Sequence, residues 1–550
     1  MKTIFSKKNI VVFSFFLFMT GLFYISLSCN KVKDNPELTW VNQNWSERIR
    51  NDWYTTSQGS ELFPYDWFIA LEGPGSEDLF INGMITRYGF IPGPVSKEKN
   101  PDNLPLGFVL DTDDRDFGDG IKLTRWAGLN CAACHTSAIS HPDDSEKILI
   151  LDGGQPNFEF ETFRNDLLSS VNETYNNKNK FERFAKKVLE NVNNKLSHDE
   201  IYEQLKLVAD RVNKINSSNK SVIPAGHGRI DAFGAIFNVV SFMNLEIPAN
   251  LQPVIAPVNM PFIWYLHRQD YTQWGGQNEN KTADDHLGRN MGEVLGVFAR
   301  INVDTSIRGF PSSIKIVKLL ELEYWLKDLR SPQWPEEILG KIDRPASLRG
   351  EVVFNNHCKG CHSIVSKDSD NVVQIRQHPL SEIGTDSSWN EQYVRTAVAG
   401  VLQGQPLLGE YGSKIDSITL AANLLVNQVS NAVMFHDVPG KLLDYYTLRP
   451  INGYKAPILN GVWATSPYFH NGSAANLHEV LIAPEARKKT FYKGTLGYDP
   501  VSVGYKTDVS ETNRELFDTS LPGNRNTGHG FGAKLTEKER RDLIEYLKTL

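Results

Sequence analysis

Apolar positions follow several different plans along this chain. From Ile10 to Leu27 the residues are predominantly apolar, with Lys2, Lys7 and Lys8 ahead of the run and Ser28 and Cys29 behind it. That order predicts an export segment over 1–29 rather than part of the fold. From Asn35 to about residue 120 the chain is rich in Trp, Pro and Gly and has no long helical period, which predicts loops and short helices laid over a core. Residues 164–221 are rich in Asn and Lys. There Phe181, Phe184, Val188, Leu189 and Val192 recur at helical spacing with a polar reverse face, predicting a helical insertion on the surface. Pro332, Pro335 and Pro345 then interrupt helical continuity. The chain accordingly divides into 35–340, containing the insertion, and 346–550.

The second half has a simpler plan. Arg349 to Phe354 reads as a short helix leading into Cys358, and Thr536 with Glu539 forms a capping-box pattern ahead of Leu543, Ile544, Tyr546, Leu547 and Leu550. The apolar side of this last helix suits packing against the helix before Cys358.

Composition narrows the class. Of 550 residues, 40% are hydrophobic and 22% charged, enough to bury a substantial core. The net charge of −7 argues against nucleic acid as a partner, because phosphate binding leaves a basic footprint. No P-loop, HExxH or Ser-His-Asp order is present, so nucleotide-binding and hydrolase readings have no support.

The cysteines carry the chemistry. Four of the five lie in two CxxCH segments, Cys131-Ala-Ala-Cys134-His135 and Cys358-Lys-Gly-Cys361-His362. Two thiols at this spacing add to the two vinyl groups of one haem, and the adjoining histidine binds its iron. A shared structural zinc would want the two pairs about 15–20 residues apart, and it leaves both histidines as coincidence. A thioredoxin-like pair would need a βαβ setting. The reading is therefore two covalently bound haem c groups. Cys29 remains: Ile25-Ser-Leu-Ser-Cys29 resembles a loose lipobox, making Cys29 a lipidated N-terminus in the periplasm or cell envelope, with an uncleaved anchor or ordinary cleavage as the alternatives. Membrane contact is expected through that terminus only.

Residues 456–473 (Ala-Pro-Ile-Leu-Asn-Gly-Val-Trp-Ala-Thr-Ser-Pro-Tyr-Phe-His-Asn-Gly-Ser), followed by Leu477-His-Glu-Val480, resemble the C-terminal signature of the bacterial di-haem cytochrome c peroxidase and MauG superfamily, with the closer likeness to its rubber-oxygenase-like branch. Leu104-Pro-Leu-Gly-Phe108, Leu151-Asp-Gly-Gly154, Gly228 to Phe233 and Gly523 to His529 extend the resemblance from about residue 60 to the end. It implies a mainly α fold of two cytochrome c-like haem domains with long loops. It also implies unequal haems: the first, at His135, keeps an open position where peroxide or dioxygen reacts, and the second, at His362, is closed by a sixth ligand and moves electrons. By position that ligand is His529, with His470 the runner-up and preferred as a supporting residue near the haem, and Met434 and His436 weaker candidates. Trp274, with Trp264 behind it, stands where the superfamily places an indole between the haems. Arg289, Asn290 and Glu293 stand where it carries residues beside the reacting oxygens, although an Arg and a Glu four apart also make an ordinary exposed helical pair. Arg229 and Asp231 either fix a propionate and a turn or pair with each other. A structural calcium is a further expectation.

Three functions follow. The first is reduction of hydrogen peroxide with electrons from a small periplasmic cytochrome c or copper protein. The second is oxidation of an organic or protein substrate, and the third is a non-enzymatic di-haem electron carrier.

Overall fold

The computed structural model describes residues 36–550 apart from 143, 304–308, 367–369, 409–413, 421–425, 440, 444–450 and 509–513. The export segment and Cys29 lie outside the described residues. No described helix is long and apolar enough to cross a membrane.

Two three-stranded sheets frame the first CxxCH segment. In one, β1 (Glu37–Trp40) runs parallel to β6 (Asp144–Asp152), which pairs antiparallel with β5 (Thr136–His141) in the register Thr136↔Asp152. In the other, β2 (Phe63–Pro64) and β3 (Phe108–Thr112) flank β4 (Arg125–Leu129), with Phe108 opposite Leu129. β4 ends at Leu129 and β5 begins at Thr136, so the CxxCH turn α2 (Cys131–Cys134) hangs between two anchored strands. Asn130 caps that turn: its side chain accepts from the Ala132 amide, and its Nδ2 donates to the carbonyls of Trp53 and Thr56 in and after α1 (Glu47–Thr55). Gly107, at φ +81°, passes so close that a Cβ there would lie 2.1 Å from the Ala133 nitrogen. Only glycine fits both the backbone conformation and the contact.

The insertion is three helices, α3 (Phe160–Asn176), α4 (Lys178–Glu190) and α5 (His198–Ser218), each with a side-chain cap from Glu159, Asn177 or Ser197. It covers the second sheet and its neighbours rather than standing apart. Trp67 meets Phe184 edge-on at 5.5 Å, and Phe108 meets Phe163 at 5.7 Å. Phe181, Phe184 and Val188 are buried as the spacing predicts, but Leu189 and Val192 are exposed. Leu189 falls off the apolar face, and Val192 lies beyond the helix end at Glu190.

Among the described residues there are 17 α-helices and 16% strand. The mainly α expectation is corrected to a mixed fold. The strands of the first half are two to nine residues long, and β4 and β5, beside the CxxCH turn, are buried on both faces, so they carry little period-2 signal.

In the second half, α9 (Arg344–His357) delivers Cys358 and packs against the C-terminal helix α10 (Glu537–Leu547), whose capping box between Thr536 and Glu539 is formed. One apolar core runs through both halves and includes Trp53, Leu151, Trp264, Trp463 and Leu543.

Candidate functional site

Each CxxCH segment opens onto its own cavity. The first, about 200 Å³, is lined by Cys131, Cys134 and His135, by α6 (Ala232–Asn238), by the 258–263 segment and by α7 (Ala283–Gly296), which lays Gly288, Gly292 and Gly296 along it. The second, about 220 Å³, is lined by Cys358, Cys361, His362, His470 and His529 with residues of α9 and α10. The two cysteine pairs therefore do not meet, which removes a shared zinc site.

The two attachment histidines are held alike. Nδ1 of His135 lies 2.8 Å from the Pro261 carbonyl, and Nδ1 of His362 lies 2.9 Å from the Pro457 carbonyl. A carbonyl only accepts, so each Nδ1 carries the proton and each Nε2 keeps a free lone pair for a metal. Burial holds both imidazoles below their ordinary basicity, His135 down to about 4. A neutral imidazole is what iron requires. Burial also pushes the Cys134 thiol up to about 12 and the Cys358 thiol up to about 11, so these are protonated sulfurs in apolar pockets.

Beyond those anchors the cavities differ. In the second, the His362 and His529 rings face each other with centroids 6.3 Å apart. A metal bonded to one nitrogen of each at about 2.0 Å, with each ring centre about 1.1 Å behind its nitrogen, needs about 6.2 Å. The gap fits one iron held by both rings. Desolvation lowers His529 to about 3, and its buried Nδ1 has no hydrogen-bond partner among the described residues. It also adopts the left-handed conformation, φ 47° and ψ 48°, uncommon for a residue with a side chain and concentrated at functional positions. In the first cavity no second histidine faces His135 among the described residues.

His470 is committed elsewhere. The Tyr454 hydroxyl donates its proton to the Asp386 carbonyl at 2.6 Å, so His470 Nε2, 3.0 Å from that hydroxyl, must itself donate. The two rings stack at 4.2 Å against the second cavity. Met434 and His436 line neither cavity: Met434 is buried, and His436 pairs with Asp437.

Trp274, Phe262, Lys455 and Pro457 line both cavities and form their common wall. The Trp274 indole donates to the Asn259 carbonyl at 2.9 Å. Trp264 lines neither; it stacks on Phe262 at 4.7 Å and donates to the Asn460 carbonyl.

Arg289 and Glu293 both reach the first cavity from α7, but not as an exposed pair. Arg289 is buried, forms a 2.7 Å ion pair with Glu323 of α8 (Ile316–Leu326), and donates to Asn280; Asn290 donates to the same Glu323 oxygen at 3.1 Å. The simple Arg289–Glu293 pairing is thereby corrected. The Glu293 carboxyl has no hydrogen bond or ion pair among the described residues, and the residue is half-buried in the cavity lining. Burial raises its carboxyl from 4.5 to about 7, only partly offset by Arg289. That value suits proton exchange near neutrality.

Arg229 and Asp231 do not pair with each other. Arg229 donates to Asn524 and to the Ala225 carbonyl, while Asp231 caps α6 and accepts from the Ile255 and Ala256 amides and from Gln392. Asp152 is the buried partner of Arg50 and Tyr54. For the expected calcium, the one described grouping of close carboxylates is Glu61, Asp111 and Asp113, against which Arg300, Lys315 and Arg115 already lie. Sequence reasoning missed Pro261, Pro457, Glu323 and Lys455.

Residues 453–492 match the family described as RoxA-like, cytochrome c-like. The match covers Tyr454, Lys455, Pro457 and His470, supports the rubber-oxygenase-like relationship, and implies covalent haem c with electron-transfer chemistry. The chain is similar to the uncharacterized protein y4iJ of Sinorhizobium fredii (strain NBRC 101917 / NGR234), with 30% identity over 604 aligned positions covering 97% of both chains. It is also similar to the uncharacterized protein y4iM of the same organism, with 27% identity over 351 positions, 60% of this chain and 73% of that protein.

Proposed function

The chain belongs to the family of the Sinorhizobium protein y4iJ, and we propose that it is an exported di-haem c-type oxidoreductase that reduces hydrogen peroxide at the haem of His135, using electrons that enter at the haem of His362 and His529. The observation that carries this reading is the inequality of the cavities: paired imidazoles 6.3 Å apart in one, a lone imidazole in the other. When bound, the first haem supplies an iron with a free position for an oxidant, and the second an iron that changes redox state with little reorganisation. The protein's part is to hold that inequality. Pro261 and Pro457 orient the two proximal rings, Glu293 gives and takes a proton at the first cavity, the Glu323 pair fixes Arg289 beside it, and Trp274 fills the wall between the cavities. The electron donor is a small periplasmic cytochrome c or copper protein, and attachment to the membrane is through lipid at Cys29.

A second reading, oxidation of an organic or protein substrate with dioxygen or peroxide, is favoured by the RoxA-like match and by the apolar side chains of Phe233, Ile236 and Phe237 along the first cavity. Stopped-flow mixing of the half-reduced protein with peroxide, and of the reduced protein with dioxygen, separates the two. Rapid reaction with peroxide, sustained by a reduced carrier, supports the peroxidase; reaction confined to dioxygen supports the oxygenase. Two low-spin haems in every redox state, neither binding cyanide, would sink both and leave an electron carrier. His529→Ala is expected to convert the second haem alone from low to high spin in EPR.

A further inference from the structure

Lys455 has no assigned role and an unusual position. Its side chain is half-buried and borders both cavities. The backbone fixes it there: its amide donates to the Trp274 carbonyl at 2.9 Å, and it pairs across strands with Gln377. The ammonium's only hydrogen bond among the described residues goes to a neutral acceptor, Gln269 Oε1, at 3.2 Å. No described carboxylate forms an ion pair with it. Asp270 draws on it only at longer range, and the neighbouring Arg289 opposes its charge. Holding a cation there with one neutral partner is costly: desolvation lowers the ammonium to about 8, and an anion brought to it would offset that cost. The cavities it borders are those the attachment segments open onto, and haem carries two carboxylate groups.

We propose that the Lys455 ammonium, set in the wall shared by the two cavities, binds a propionate carboxylate of a bound haem and acts as one positive charge felt by both irons. The assignment rests on haem occupying both cavities. A cation in a low-dielectric interior favours the reduced iron, which carries one positive charge fewer. One lysine thereby raises both reduction potentials together and ties the affinity of each haem for electrons to the same group.

The test compares Lys455→Met and Lys455→Arg with the wild-type holoprotein, counting covalent haem and titrating both haems potentiometrically at pH 6, where the ammonium is fully charged. The Met variant is expected to keep two haems and to shift the reduction equilibrium of each about tenfold toward the oxidised form, 59 mV for a one-electron couple. The Arg variant is expected to stay near wild type. Should the Met variant not accumulate, Lys455→Gln, which keeps a polar side chain without the charge, is expected to give the same shift. Unchanged potentials in a charge-removing variant with two haems overturn the proposal, and so does a shift at one haem alone. A wild-type protein with fewer than two haems instead overturns the di-haem reading beneath it.

Discussion

Glu293 takes its character from the place the fold gives it rather than from its neighbours in sequence. Its carboxyl, raised by burial from 4.5 to about 7, remains neutral in the folded protein over a range in which the unfolded chain has already ionised. Below pH 4.5 both states hold the proton and stability is complete. As pH rises toward 7 the unfolded state gains ionisation that the folded state lacks, and stability falls, by about 3 kcal/mol at the upper limit. Glu293→Gln is neutral at every pH and escapes that loss. Equilibrium denaturation is expected to show the variant level with wild type near pH 4.5 and more stable at pH 8; a difference independent of pH would mean that Arg289 keeps Glu293 ionised. The type and position of Glu293 were legible in the sequence, as were the two CxxCH segments and His529. Pro261, Pro457 and Lys455 were not. The prolines act through carbonyls 126 and 95 residues from their histidines, and a backbone acceptor has no side-chain signature. Lys455 differs from a surface lysine only in what the fold wraps around it.

The same contrast holds for elements. Capping residues and helical spacing marked the C-terminal helix and the insertion, because those signals are local. The strands around Cys131 were missed because each is short and covered on both sides, and the ion-pair partner of Arg289 was not legible because Glu323 approaches from another helix. One local rule fails outright at Gly350. In an isolated helix, replacing this glycine with alanine would stabilise by about 1 kcal/mol. In α9 a Cβ at Gly350 would stand 1.9 Å from the Asp542 carbonyl oxygen of α10, a backbone atom that cannot rotate away. Separating the helices costs about 1–3 kcal/mol, which matches or exceeds the propensity gain and also disturbs the helix that delivers Cys358. Gly350→Ala is therefore expected to lower the melting temperature and to broaden the optical spectrum of the second haem, while the first haem's spectrum stays as it was. A melting temperature raised by the substitution would show that the two helices can move apart freely.

At the scale of the molecule, the two halves share one apolar core and one wall. The core passes from Trp53 and Leu151 through Trp264 to Trp463 and Leu543. Phe262, Trp274, Lys455 and Pro457 belong to both linings, and of the two aromatic rings among them the electron-rich indole is the easier to oxidise. Among the described residues the indole makes one hydrogen bond, to the Asn259 carbonyl. If electrons cross the wall through Trp274, then Trp274→Leu, similar in apolar character but without the ring, is expected to slow transfer between the haems by about tenfold, equivalent to about 1.4 kcal/mol of barrier. Laser flash photolysis of the half-reduced, carbon monoxide-bound protein measures that rate directly. Both haem spectra and both potentials should remain at wild-type values, because Lys455 and the four attachment cysteines are untouched. Trp274→Phe, which retains an aromatic ring on the same backbone, should recover part of the rate. An unaltered rate in the Leu variant would shift the route to Phe262, which touches the same two cavities and stacks on the buried ring of Trp264.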